Sequence, residues 1–296
     1  MIRTNITGIG DPFILREGDT YYMYATNSEK GFKVYTSSDL ENWKDEGHVY
    51  ENSAWGENCF WAPEVYKLGE GRYALLYTAR WSKNHSLRTG LAFGPSPLGP
   101  FKDRTDGPLF DLGFATIDAT FLFDGGKNYI FYVRDCSENV INGVHTSIIY
   151  AAEMDENLEK FVTEPIIISR PDTAWETEHD PEWQWNEGPA VIKLNGRYYL
   201  NYSSNCYASL HYSVCCSEAT SPLGPYVKYD NNPILKYREN DFSGPGHNAF
   251  FTDVNGRLMT AFHIHTYYDK PSGNRRACFA PVAFDKEGKM IIEVDG

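Results

Sequence analysis

The sequence predicts an all-β protein, a five-bladed β-propeller with four antiparallel strands in each blade. Three observations lead to this prediction. A segment made of a strand, a tight turn and a second strand recurs five times along the chain. No segment shows sustained helical periodicity. Aromatic residues, which favour strands, make up 15% of the chain, with 21 tyrosines among them.

The five copies of this segment begin at Asp11, Ala62, Asp118, Glu187 and His247, and in each a tyrosine or leucine follows eleven residues later. Glycine, aspartate or asparagine stands in the middle of every copy, which is typical of a hairpin turn with positive φ. Further strand-like stretches between the copies bring each unit to about four strands. The sequence therefore predicts one propeller blade per unit, and a single domain over residues 1–296.

Charge and composition exclude several classes of partner. The formal net charge of -13 disfavours nucleic acid and anionic membrane surfaces, which need clustered lysine and arginine. A small, neutral oligosaccharide has no such requirement, and the oligomeric state is left open. No apolar run could span a bilayer, and residues 1–8 show no export signal, so we expect a cytoplasmic protein, or a secreted one if a signal has been removed.

Three acids begin copies of the repeat. The equivalent residues of five blades should meet near one mouth of the central channel, which brings Asp11, Asp118 and Glu187 together. Packing does not explain them, because strands disfavour acids and burying a carboxylate is costly. Inverting glycoside hydrolysis uses two carboxyl groups, one that protonates the leaving oxygen and one that activates water. A third acid nearby raises the pKa of the proton donor.

These residues also resemble a known family over essentially the whole chain. The motifs that carry the resemblance are Gly10-Asp11-Pro12, Trp61-Ala62-Pro63-Glu64, Ile117-Asp118-Ala119, Asn186-Glu187-Gly188-Pro189 and Gly246-His247-Asn248. In this order on the repeat they resemble glycoside hydrolase family 43, whose members are five-bladed propellers that act on arabinan, xylan and related polymers. The resemblance implies that Asp11 is the general base, Glu187 the general acid, and Asp118 the residue that orients Glu187 and tunes its pKa.

The resemblance extends to binding residues. It implies that His247 lines the channel, where it could take part through water in the setting of a bound calcium, and that Arg275 or its neighbour Arg276 lies near the substrate and the base. No cofactor is expected to be required. Catalytic zinc is not expected, because the histidines lack zinc-ligand spacing and the six cysteines show neither zinc-ligand spacing nor a disulfide framework.

Aromatic residues near the same mouth are expected to contact the sugar. Trp61 precedes Ala62 there, and an indole suits the apolar face of a sugar ring. Other candidates for the pocket wall are Phe60, Trp81, Phe114, Trp183, Trp185 and Tyr207. The insertion over residues 169–185 is expected to close one end of the cleft and so to favour trimming of chain ends.

We therefore expect an inverting, exo-acting glycosidase that releases terminal α-L-arabinofuranose, β-D-xylose or both from oligosaccharides of plant hemicellulose. An endo-arabinanase or a galactan-acting hydrolase of the same fold is an alternative. A non-catalytic sugar-binding propeller is another, although it would not need three equivalent acids. A phosphorolytic propeller would need a basic pocket, and only Arg275 and Arg276 form a cluster.

Overall fold

The fold is built almost entirely of β-strands. We describe residues 1–295 of a computed structural model, so residue 296, the end of the predicted domain, lies outside the described residues. Besides strands, this part of the chain has one 3-10 turn, Cys136–Glu138, and one short helix, α1 (Ala174–Thr177). The strands form three sheets of four or five strands and one sheet of nine strands, in which a short parallel pairing joins two blades. Together they make five consecutive blades, which confirms the predicted five-bladed propeller.

The strands follow one another blade by blade. The chain enters through β1 (Ile2–Thr7). Blade one contains β2 (Gly10–Glu17), β3 (Thr20–Thr26), β4 (Gly31–Ser37) and β5 (Lys44–Glu51). Blade two contains β6 (Gly56–Gly69), β7 (Arg72–Trp81), β8 (Leu87–Gly94) and β9 (Lys102–Asp103). Blade three contains β10 (Thr116–Asp124), β11 (Lys127–Arg134), the short β12 (Val140–Ile141), β13 (Val144–Met154) and β14 (Ile166–Ser169).

The last two blades follow the same plan. Blade four contains β15 (Trp183–Leu194), β16 (Arg197–Ser204), β17 (Ser213–Ala219) and β18 (Val227–Lys228). Blade five contains β19 (Gly246–Thr252), β20 (Leu258–His265) and β21 (Arg275–Phe284), and the short β22 (Met290–Ile292) pairs with β21. The remaining outer strand of blade five is β1, whose Ile2 pairs with Phe279 of β21. The two ends of the chain therefore close the ring together.

The hydrophobic core lies between the blades. Between blades one and two, for example, Phe32 packs edge-on against Tyr77 with ring centroids 5.7 Å apart. Similar buried clusters join each successive pair of blades, including blades five and one. Many tyrosines lie in these clusters, which accounts for the tyrosine-rich composition. Phe60 lies in the first cluster, so its predicted place in the pocket wall is wrong.

A β-bulge interrupts the innermost strand of every blade close to the channel mouth. In each bulge one residue has a left-handed backbone conformation. These five bulge residues are Asp11 (φ 54°), Ala62 (46°), Asp118 (52°), Gly188 (53°) and His247 (47°). They form a ring around the channel, one from each blade.

The predicted alignment of Glu187 with Asp11, Ala62, Asp118 and His247 is therefore shifted by one residue. The bulge position is occupied by Gly188, and Glu187 lies one residue before it. Pairing gives the same register, because Glu187 faces Ser203 across the hairpin as Gly10 faces Thr26 in blade one. Successive side chains of a strand point in opposite directions, so Glu187 projects differently from Asp11. It shares its position with Trp61 of blade two.

The bulge residues are linked from blade to blade by hydrogen bonds. In four of the five, the N–H donates to a side chain on the second strand of the preceding blade: Ala62 to Thr26 Oγ1 at 2.9 Å, Asp118 to Thr78 Oγ1 at 3.1 Å, His247 to Ser203 Oγ at 2.7 Å, and Asp11 to His263 Nδ1 at 3.2 Å. Buried N–H groups need such partners, so these bonds fix the blades to one another at the channel mouth.

Blade three departs from this rule. The residue that corresponds to Thr26 and Thr78 is Val133, which pairs with Ile117 and has no acceptor in its side chain. The N–H of Gly188 donates instead to Oδ2 of Asp118, at 3.1 Å. A carboxylate thus replaces the hydroxyl group at this one interface, and the bond fixes the side chain of Asp118 beside the peptide that follows Glu187.

Candidate active site

A cavity of about 690 Å³ opens where the bulges converge. Its lining includes all three predicted carboxyl groups, Asp11, Asp118 and Glu187, together with Trp61, His247 and Arg275. The carboxyl groups are at least nine-tenths buried. Three acids from three blades thus face one enclosed space, although Glu187 reaches it from a different strand position.

Asp11 is surrounded by groups that favour its ionised form. Nη1 of Arg275 donates to Oδ1 at 2.9 Å, and Thr26 Oγ1 donates to Oδ2 at 2.6 Å. Nδ1 of His247 and of His263 lie 3.3 and 3.5 Å from Oδ1. Burial alone would raise the pKa of Asp11, but Arg275, followed by His247 and Thr26, holds it well below its usual range.

Arg275, rather than Arg276, contacts Asp11. Neighbouring residues on β21 point to opposite faces, and the guanidinium of Arg275 lies over the backbone of Gly10. A Cβ atom at that position would come within 2.0 Å of Nη2 of Arg275. Gly10 therefore leaves the space through which Arg275 reaches Asp11, which gives the Gly-Asp-Pro segment a physical reason.

Asp118 lies between the other two acids. Its Oδ2 accepts from the N–H of Gly188, and Nδ1 of His247 lies 3.9 Å away. Burial raises the pKa of Asp118 to about 6, and the negative charge of Asp11 adds to this, while His247 and the Gly188 N–H oppose it. Asp118 is therefore ionised above about pH 6.

Among the described residues 1–295, no basic side chain contacts Glu187. The hydroxyl of Tyr212 donates to Oε1 at 2.9 Å. Burial raises the pKa of Glu187 well above its usual value, and the charge of Asp118 raises it further, whereas Tyr212 lowers it. One cavity thus holds an ionised carboxylate, Asp11, and a carboxyl group, Glu187, that keeps its proton.

Comparison with known proteins identifies the family of this chain. The model of glycosyl hydrolases family 43 matches residues 6–290. The chain belongs to glycosyl hydrolase family 43. The crystal structure of a thermostable family-43 glycoside hydrolase is similar over 100% of this chain and 96% of that one, with a TM-score of 0.94 and 42% identity. An endo-1,4-β-xylanase structure from Bacteroides thetaiotaomicron covers 100% and 97%, with a TM-score of 0.85 and 30% identity.

Curated relatives of this glycosidase have several substrates. The β-D-galactofuranosidase xynD of Aspergillus niger is 25% identical, over 92% of this chain and 78% of its own length. The α-L-arabinofuranosidase 43 of Humicola insolens is also 25% identical, over 88% of this chain. The chain spans only 55% of the latter and 60 to 65% of the next three relatives.

The comparisons also bear on the cellular location of the protein. The relatives from Streptomyces avermitilis and Thermotoga petrophila are named extracellular, so the comparisons do not support the predicted cytoplasmic location. Within residues 1–295, no helix is long and apolar enough to cross a membrane.

Two predicted substrate contacts of the family-43 chain lie outside the cavity lining. Ala62 is buried, and its methyl group does not reach the cavity. Phe114 packs beneath Arg134, whose Cζ lies 4.5 Å from the ring centroid. Trp81 is likewise absent from the lining and packs against the core between blades one and two. These residues lie close in the chain to residues at the channel mouth, but that closeness does not determine where their side chains point.

Three other aromatic residues do line the cavity: Trp183, Trp185 and Tyr207. Trp183 and Trp185 precede Glu187 by four and two residues on β15, so they share its face of the strand. The Trp183 ring stacks on His145 at a centroid distance of 3.8 Å, and the first residues of β15 pair in parallel with β13. The end of the predicted insertion thus forms a fixed aromatic wall beside Glu187.

Asp135 is a fourth carboxylate in the cavity and was not predicted. Its side chain caps the turn Cys136–Glu138 by accepting from the N–H of Ser137 at 3.0 Å. Its charge contributes to the raised pKa of Glu187. The sequence Asp-Cys-Ser-Glu has the pattern of a capped turn, but this pattern does not reveal that the turn lies next to Glu187.

The charge of Asp118 can be tested through the pH profile. Asp118→Asn removes the repulsion that raises the pKa of Glu187 while keeping an oxygen acceptor for Gly188. Glu187 should then lose its proton at a lower pH, so the alkaline limb of kcat/KM should shift down by about one pH unit. Asp124→Asn, which removes a carboxylate at the far end of β10, is the matched control. An alkaline limb that stays in place in Asp118→Asn would contradict the electrostatic assignment.

Proposed function

We propose that this glycosidase removes terminal pentose units, α-L-arabinofuranose, β-D-xylose or both, from short plant cell-wall oligosaccharides with inversion at the anomeric carbon. The observation that carries the proposal is the opposite protonation of two carboxyl groups in one cavity. Asp11 is ionised by Arg275, and Glu187 keeps its proton through burial and the charge of Asp118. Inverting hydrolysis needs such a base and acid pair.

In the proposed reaction Asp11 is the general base. It takes a proton from a water molecule, whose oxygen attacks the anomeric carbon from the side opposite the leaving group. The hydrogen bonds from Arg275 and Thr26 leave Asp11 little freedom to turn. A fixed base keeps the attacking water in line with the bond that breaks.

Glu187 is the general acid in this proposal. It gives its proton to the glycosidic oxygen, which leaves with the electron pair of the broken bond. The charge of Asp118 keeps Glu187 protonated until the substrate is bound, and the Asp118 contact with Gly188 holds the segment that carries Glu187. Asp118 is thus the residue that tunes and orients the acid.

The shape of the cavity supports action at chain ends. Tyr207 lies on the side of the base, with its ring centroid 5.1 Å from Cζ of Arg275. We infer that this contact limits the space beyond the sugar at Asp11. The leaving group lies beside Glu187, where Trp185 and Trp183 offer apolar surface to further sugar units. The relatives named arabinofuranosidase and xylosidase/arabinosidase support a pentose.

The experiment that tests the function is proton NMR of the enzyme with aryl α-L-arabinofuranoside, aryl β-D-xyloside and linear arabino-oligosaccharides. We expect release of a monosaccharide whose first detectable anomer is inverted relative to the substrate. Release of internal oligosaccharides would favour the endo-arabinanase alternative, which the arabinanase relative from Thermotoga petrophila represents. Binding of these sugars without turnover would support the alternative of a non-catalytic sugar-binding propeller.

The two carboxyl groups should differ in their dependence on the leaving group. Glu187→Gln should lower kcat/KM about 10²- to 10⁴-fold on oligosaccharides but less than about 10-fold on a dinitrophenyl glycoside, because an activated leaving group needs little protonation. Asp11→Asn should lower both, since every substrate needs an activated water. Steady-state kinetics on both substrates tests this assignment, and equal losses in Glu187→Gln would contradict the role of Glu187 as the acid.

A structural calcium beside His247 stays part of the proposal, and it is not needed for either proton transfer. Residues 1–295 contain no group of three His, Cys, Asp or Glu side chains arranged to hold a metal ion. Calcium prefers six to eight oxygen ligands, so an ion at this place would depend mainly on water. We expect dialysis against a chelator to change kcat less than about 2-fold. Loss of activity that calcium restores would show a catalytic requirement for the ion.

A further inference from the structure

Tyr212 is the one side chain within residues 1–295 with a hydrogen bond to the carboxyl group of Glu187. It lies just before β17, is 1% exposed, and donates its hydroxyl proton to Oε1 at 2.9 Å. Burial raises the pKa of Tyr212 well above its usual value, so the phenol keeps its proton. Since Oε1 accepts this bond, the acidic proton of Glu187 belongs on Oε2.

The ring of Tyr212 rests on the first hairpin of blade five. It stacks on His263, with centroids 5.5 Å apart and planes 5° apart. His263 pairs with Gly246 across this hairpin, and a Cβ atom at Gly246 would come within 2.1 Å of the Tyr212 ring. Gly246 thus provides the space that lets Tyr212 cross from blade four to blade five.

His263 in turn holds the base. Its Nδ1 accepts from the N–H of Asp11 at 3.2 Å, so the neutral ring has its proton on Nε2. Burial lowers the pKa of His263 well below its usual value, and Arg275 lowers it further, which keeps the ring neutral. A continuous contact path therefore joins the carboxyl group of Glu187 to the peptide of Asp11.

We propose that Tyr212 and His263 form a positioning bridge between the general acid and the general base. The bridge fixes the acid in blade four relative to the base in blade one, across blade five. The hydroxyl of Tyr212 also stabilises the carboxylate that forms when Glu187 gives its proton to the glycosidic oxygen. Tyr212 keeps its own proton throughout and only donates a hydrogen bond. The inference rests on the proposed acid and base roles of Glu187 and Asp11.

Tyr212→Phe tests the bridge at the acid. A hydrogen bond to a developing charge is strong, so kcat should fall about 10- to 100-fold on aryl glycosides with poor leaving groups. It should fall less than about 3-fold on the most activated ones, because these need little proton transfer. The alkaline limb of the pH profile should move to higher pH, since Glu187 loses a donor that lowers its pKa.

Tyr202→Phe is the matched control. Tyr202 is fully buried in the same blade and donates to Oε1 of Glu176 at 2.8 Å, and it does not line the cavity. Both variants lose a buried tyrosine–glutamate hydrogen bond, but only Tyr212→Phe should steepen the dependence of kcat on the leaving group. An equal loss on all leaving groups, or the same steepening in Tyr202→Phe, would overturn the proposal.

The base side of the bridge has its own test. His263→Asn can place an amide oxygen near the position of Nδ1 and accept from the Asp11 N–H, whereas His263→Ala cannot. We expect His263→Ala to lower kcat on good and poor leaving groups alike, and His263→Asn to recover at least a third of wild-type kcat. No recovery would overturn the role of His263.

Kinetics of the wild-type enzyme distinguish failure of the proposed function from failure of the bridge. If wild-type enzyme turned over none of the aryl glycosides or oligosaccharides, the acid and base roles themselves would fall. If wild-type enzyme were active and Tyr212→Phe kept the wild-type dependence on the leaving group, only the bridge would be overturned. Thermal melting of every variant separates both cases from loss of folded protein.

Discussion

The left-handed bulge at the inner strand of each blade is the constraint on which the site depends. Four of the five bulge residues have side chains, and this backbone conformation costs about 1–2 kcal/mol for each of them. The hydrogen bonds that their N–H groups make to the preceding blade offset this cost. The same bulges turn Asp11, Asp118 and His247 towards the channel. Strain and function therefore occur at the same positions.

Environment, rather than residue type, separates the roles of the carboxyl groups. All three are buried, and burial alone would raise the pKa of each. Arg275 reverses this effect for Asp11, because Gly10 leaves space for its guanidinium group beside that carboxylate. No cation within residues 1–295 contacts Glu187, and the charge of Asp118 acts on it instead. One fold thus holds an ionised and a protonated carboxyl group in the same cavity.

The repeat made the fold predictable, because hairpin turns and eleven-residue offsets are local features of sequence. The register of blade four was not predictable in this way. Tyr198 and Tyr199 are adjacent, so the same offset fits a copy that begins at Glu187 or one that begins at Gly188. Only the bulge distinguishes them. The prediction of Glu187 as a site residue depends instead on its motif, Asn186-Glu187-Gly188-Pro189, which resembles that of the family.

Residues outside the repeat were harder to find. Tyr212 and Asp135 reach Glu187 from loops, whose course no period describes, and each looks like an ordinary tyrosine or turn aspartate in the sequence. The prediction that Phe114 contacts the substrate is wrong for another reason. Phe114 lies near the channel mouth along the chain, but its ring packs under Arg134 and not into the cavity. The sequence thus predicts which residues lie near the channel mouth more readily than it predicts which side chains point into the cavity.

The pairing of β1 with β21 has a consequence for the order of folding. Blade five combines β1 (Ile2–Thr7) with strands that begin only at Gly246. During synthesis the first four blades can assemble before β21 exists, and β1 must stay unpaired until then. Closing so long a loop is slow, because its entropy must be lost before the contacts form. The active site is therefore completed in the last step, since Arg275 reaches Asp11 from the strand that closes the ring.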